Sequence, residues 1–183
     1  DLLVERMNSD LANTLGNLVN RTISMSNKYF GGVVANSGVT DGFDKNLMDV
    51  ALDTKHKVIK CMSKHRVADA MTEIFNLFKR CNKYIDETMP WALAKEEQKE
   101  KLESCMYHLI ENLRKIAILI RPFMQETSNN ILRQIGVDSK NISWNDLENM
   151  EILENTHVIE KGEPIFMRLN ANEEVEYIKS LMN

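Results

Sequence analysis

Asn13, Asn17, Arg21, Ser24 and Lys28 follow one another at steps of four, four, three and four residues, the spacing of one face of an α-helix. Asn17 and Arg21 therefore project side by side. An amide that both donates and accepts, next to a forked guanidinium donor, can read the hydrogen-bonding edge of a nucleobase. Farther along, Trp91 follows Pro90 in a Met-Pro-Trp corner, where its ring either caps a core or stands out as a platform for an unstacked base. Asp86 and Glu87 close the helical pattern before that corner, against the helix dipole, so they need partners. A base amine is one; Arg21 is another if the two helices are adjacent. The same residues also fit a plain solvated helix face and a core tryptophan.

No catalytic set competes with these residues. His56, His65, His108 and His157 contain no i, i+4 pair of a helical metal site, and the sequence holds no GxSxG, P-loop or GxGxxG. Met62-Ser63-Lys64 shares a tripeptide with the Lys-Met-Ser-Lys-Ser nucleotide-binding signature of class I aminoacyl-tRNA synthetases, but both outer residues differ. It reads as a polar helix end. No catalytic residue, metal ligand or cofactor site is expected in this chain.

Composition sets the remaining bounds. With 183 residues, 43% of them hydrophobic, the chain has the size and apolar content of one globular unit. Its net charge of -4 argues against coating nucleic acid through a bulk basic field, so any RNA contact must be local and shape-driven. DNA is not an expected ligand. Cys61, Cys81 and Cys105 are odd in number and widely spaced, as in reduced core residues of a cytoplasmic protein. No apolar run approaches the roughly 18 to 20 residues of a membrane span. Asp1 in place of an initiating methionine, leading at once into an amphipathic segment, suggests a piece of something longer.

Helical periodicity supplies the elements that must position the candidate residues. Val67, Met71, Ile74, Phe78, Cys81 and Ile85 step by 4, 3, 4, 3 and 4, and Leu102, Met106, Leu109, Leu113, Ile116 and Ile120 repeat the pattern. A first helix is expected from a cap at Asn8 or Ser9 to about Phe30, with Leu11, Leu15, Leu18, Val19 and Ile23 inward. A second should run from about Asp44 to Ser63 on a weaker stripe of Leu47, Ala51, Val58 and Met62. Pro90 fixes a corner after the third helix, and Pro122 separates the fourth from a fifth that stops at Gly136. The expectation is an all-α bundle of about five main helices over residues 1–136. A C-terminal extension over 137–183 packs on it, with a helical turn from Trp144 to Met150, an extended piece from Pro164 to Leu169, and a final helix from Glu173 to Leu181.

Three stretches resemble the methionyl-tRNA synthetase family. They are Asn8-Ser9-Asp10-Leu11-Ala12-Asn13 running into Leu15-Gly16-Asn17-Leu18-Val19-Asn20-Arg21-Thr22; Asn82 to Lys95, centred on Met89-Pro90-Trp91; and Arg121-Pro122-Phe123-Met124. Their order and spacing match over roughly residues 1 to 170. The second stretch is the most specific. Two departures, Gln125 and Met167 where relatives carry prolines, touch only the course of the last helices.

The resemblance implies a class I synthetase anticodon-binding bundle that grips the CAU anticodon of methionine tRNA. Asn17 and Arg21 match the family's Asn and Arg on the first helix, Trp91 its stacking tryptophan, and Asp86 and Pro90 neighbouring anticodon positions. Lys28, Lys83 and Lys95 are weaker candidates for phosphate contacts. The resemblance also implies an upstream catalytic domain using ATP and Mg, absent from this chain, so the chain alone should not aminoacylate. The anticodon domain of another class I synthetase, or a helical protein-interaction bundle, are the competing readings.

Overall fold

In a computed structural model that describes residues 2–149, 153 and 156–181, the chain is helical from Leu2. Helix α1 (Leu2–Arg6), a π-helical segment (Met7–Gly16) and α2 (Asn17–Phe30) follow without a break, since Arg6, Gly16 and Asn17 all keep right-handed helical geometry. The predicted caps at Asn8 and Ser9 are therefore interior residues. Asn8 has another use: its amide donates to the Leu169 carbonyl and accepts from the Leu169 N–H, both at 2.8 Å, clamping the tail to the helix. Helix α2 ends as expected at glycine, with Gly31 in the left-handed conformation.

Helix α3 (Gly42–Met62) begins two residues earlier than its apolar stripe predicts, because Asp41 and Asp44 form a reciprocal capping box around its first turn. Helix α4 (Val67–Thr88) packs along it, burying Ile74, Phe78, Cys81 and Ile85 of the predicted seam; Val67, at the helix start, remains 47% exposed. The chain then turns at Met89 into a short α5 (Pro90–Lys95). Helices α6 (Lys99–Ile120) and α7 (Gln125–Gln134) follow, separated by the predicted turn at Pro122. Short 3-10 turns at Ser139–Asn141 and Trp144–Leu147 precede α8 (Ala171–Leu181). Met150, the predicted end of the turn at Trp144, lies outside the described residues.

Helix α6 is the axis of the molecule. All six residues of its predicted seam are buried, and so is nearly everything else from Ser104 to Ile120, including Glu111, Asn112, Arg114 and Lys115. The tail meets this segment at Arg114, whose guanidinium pairs with Glu111 and donates to the carbonyls of Asp146 at 2.7 Å and Asn149 at 2.6 Å. Buried ions persist only when paired and hydrogen-bonded in this way.

The remaining tail is fastened by backbone bonds. Val34 donates to Thr156, Val158 to Gly32 and Ile159 to Gln134, around an isolated antiparallel bridge between Val33 and His157. Gly136 makes this approach possible. It sits at φ 77°, and a Cβ there would lie 2.1 Å from the His157 carbonyl oxygen.

Candidate nucleic-acid interface

The widened π turn delivers the chain to Asn17. The Asn17 N–H reaches back to the carbonyls of Ala12 and Thr14, and Asn82 on α4 donates to the same Thr14 carbonyl at 3.2 Å. Segments of this kind recur at functional positions because they shift the register of the face that follows. Asn82 lies within the motif quoted above, but its bond to the first helix depends on packing that no spacing reveals.

One turn after Asn82, Asp86 meets Arg21 across the α2–α4 contact, 3.6 Å from carboxylate to guanidinium. Both remain open to solvent, with side chains 41% (Arg21) and 69% (Asp86) exposed. The sequence asked what partners the acids at the end of α4 have; each has a cation. Glu87 takes Arg80 at 2.9 Å and Lys83 at 3.5 Å. On the other side of Arg21, Asn13, Asn17, Asn20 and Ser24 are exposed along the same helix.

The corner after Asp86 is stiff. Met89 takes a left-handed conformation with φ 46°, accepted by few residues other than glycine, and Pro90 occupies the first position of α5, where its missing N–H costs nothing. Pro90 is buried while Trp91 stands 47% exposed. Trp91 and Lys95, four residues apart, share the outer face of α5, whereas Leu93 and Ala94 pack inward against the core. The tryptophan is thus a half-open aromatic surface on a proline-fixed turn, not a core residue.

The other end of α2 approaches the same short helix. Lys28, Tyr29 and Phe30 line a groove with Leu93, Ala94 and Leu102, of about 410 Å³. The Lys28 ammonium lies 5.3 Å from the centre of the Tyr29 ring. Lys83 is engaged with Glu87, and Lys95 is exposed beside Trp91. The structure therefore brings Arg21 to Asp86 directly and places Trp91 just past the corner that ends α4; no side-chain hydrogen bond joins Asn17 to any of them. Stacking surface, edge donors and cations lie along α2 and the α4–α5 corner.

The chain is similar to known proteins over its whole length. Residues 34–182 match the family described as the anticodon binding domain of methionyl tRNA ligase. A methionine–tRNA ligase of Halalkalibacterium halodurans is 45% identical over 185 residues, covering 100% of this chain and 28% of the relative; that of Lactococcus lactis is 48% identical, covering 98% and 27%. The chain thus spans little more than a quarter of these relatives. The apo methionyl-tRNA synthetase of Mycobacterium tuberculosis superimposes with a TM-score of 0.84 at 29% identity, over 92% of this chain and 34% of that one. The same enzyme bound by methionyl-adenylate gives 0.83 at 28% identity, over 91% and 33%. With an all-α bundle of matching topology and a family match over most of its residues, this chain belongs to the anticodon-binding domain family of methionyl-tRNA ligases.

Proposed function

We propose that this chain binds the anticodon loop of methionine tRNA, reading CAU, and so supports attachment of methionine by a catalytic domain outside it. The observation that carries the reading is the Arg21–Asp86 pair at the end of α4, followed across the Met89–Pro90 corner by an exposed Trp91. Sequence-specific recognition of RNA loops splays bases out, stacks them on aromatic rings and bonds their edges. Trp91 stacks on the first anticodon base, with buried Pro90 fixing its backbone. Asn17 and Arg21 bond base edges, and Asp86 holds Arg21 in position. Lys28 and Lys95 approach phosphates; Lys83 does so only by leaving Glu87.

Residues 1–136 form the reading bundle and 137–183 a buttress for it. The parent activity is that of a methionine–tRNA ligase, an ATP- and Mg-dependent aminoacyl-tRNA synthetase of the cytoplasm, and this chain by itself is inactive in that reaction. Its partners are methionine tRNA and the parent's catalytic domain, with no part for DNA or a membrane. An acidic chain can serve an RNA here because placed donors and stacking, not total charge, provide selectivity.

The test is a titration of the full-length protein with methionine tRNA carrying CAU or an altered anticodon, for the parent sequence, Trp91→Ala and Arg21→Ala. Loss of a stacking ring costs about 1–3 kcal/mol, roughly 5- to 150-fold in affinity. Equal binding in every combination sinks the reading. Methionine charging compared with other amino acids separates it from another class I synthetase.

A further inference from the structure

Glu87 adjoins Asp86 in the final turn of α4, where the helix dipole already carries negative charge toward the proposed RNA site. Two uncompensated carboxylates there would repel a polyanion. Arg21 answers the first of them; the second is answered from behind. Arg80 donates through Nη1 to Glu87 Oε2 at 2.9 Å and through Nε to Asn46 Oδ1 of α3 at 2.7 Å. Arg80 and Glu87 are only 13% and 24% exposed, unlike Lys83, the other cation on Glu87, which is 71% exposed. Glu87 also lines, with Thr88 and Leu93, the small cavity beneath the α4–α5 corner.

We propose that Arg80 is a charge-masking residue of the RNA site, neutralising Glu87 so that a phosphate backbone can approach the corner that presents Trp91. This rests on the anticodon-binding reading. The two bonds need a guanidinium, because a single ammonium on a flexible stem cannot satisfy Asn46 and Glu87 with the same planar fork. Asn46 fixes the guanidinium; Glu87 receives its charge. Both bonds of the Arg80 guanidinium go to Asn46 of α3 and to Glu87, so it acts through Glu87 and is assigned no base contact.

The experiment measures affinity of the full-length protein for methionine tRNA across a salt series, for the parent sequence, Arg80→Gln, Glu87→Gln and the double variant. Arg80→Gln leaves Glu87 with only the solvent-exposed Lys83 and is expected to weaken binding about threefold at low salt, the scale of one partly compensated charge near a surface. The ratio to the parent should shrink as salt screens the field of the unmasked carboxylate at the RNA. Glu87→Gln in the Arg80→Gln background should restore most of the affinity. Parent-like binding by Arg80→Gln at low salt, or a double variant as weak as Arg80→Gln, overturns the proposal. Affinities are compared at a temperature where thermal melts show every variant fully folded, because the folding cost of an unpaired Glu87 would also be relieved by salt or by removal of Glu87. Trp91→Ala and an altered anticodon, run alongside, separate the two failures. If they too have no effect, the site reading falls; if they weaken binding and Arg80→Gln does not, only the masking falls.

Discussion

Arg21 and Asp86, 65 positions apart, face each other at 3.6 Å where α2 crosses α4. With both side chains in solvent, the pair adds little to folding, on the order of 0.2–1 kcal/mol. Its consequence is orientation: the carboxylate restricts where the guanidinium points, and a restricted donor discriminates between base edges better than a mobile one.

Asp86→Asn should therefore leave thermal stability nearly unchanged while reducing the preference for a CAU anticodon. A good edge contact is worth about 1–3 kcal/mol of discrimination, by analogy with base readout in duplexes. The measurement is the ratio of affinities for matched and altered anticodons. A large fall in melting temperature, or an unchanged ratio, contradicts the assigned role.

Arg114→Met should be severe. It leaves the buried Glu111 carboxylate without its guanidinium and the Asp146 and Asn149 carbonyls without their donor. Breaking a buried pair from one side costs about 3–5 kcal/mol, readable as a shift in urea midpoint at constant slope. Amide exchange should rise first over residues 143–149, the turn that the guanidinium holds.

His108 makes stability pH-dependent. Burial lowers its affinity for a proton, opposed by Asp44, assisted by Lys115 and opposed again by Asp41, so its pKa falls below 6.5 in the folded state. The unfolded chain then binds more protons in that range, and stability declines as pH drops below 6.5 toward the folded value. His108→Gln should flatten this part of the stability profile. The carboxylates held low, those of Asp146, Glu148 and Glu163, titrate at lower pH and leave the upper part of the window to His108.

Gly136→Ala should loosen the tail. The left-handed backbone disfavours any side chain, and the added carbon would collide with the His157 carbonyl, so the loss should exceed about 1 kcal/mol. Thermal melting checks the magnitude. If the melting temperature is unchanged, the approach of residues 157–159 to α7 is not as tight as described.

Much of this was legible in the residues. The periodic seams and the breaks at Gly31, Pro90, Pro122 and Gly136 placed the main helices, and the motif around Trp91 named the candidate site residues. The misses have a shared cause. Asn8 looks like a cap because caps are read locally, yet it clamps Leu169, which lies 161 residues away. The burial of Arg114 has no local signal either, since the carbonyls that receive it belong to Asp146 and Asn149, 32 and 35 residues on.

The sequence by itself determined the main helical segments, where they turn and which family they resemble, because period, proline and glycine act over a few residues; the short α5 that Pro90 opens was not among them. Only the tertiary structure decided that Arg21 answers Asp86, that Arg80 answers Glu87 and that Trp91 stands half-open. Those facts depend on how helices are registered against one another, and that register is set by packing among residues far apart in the chain.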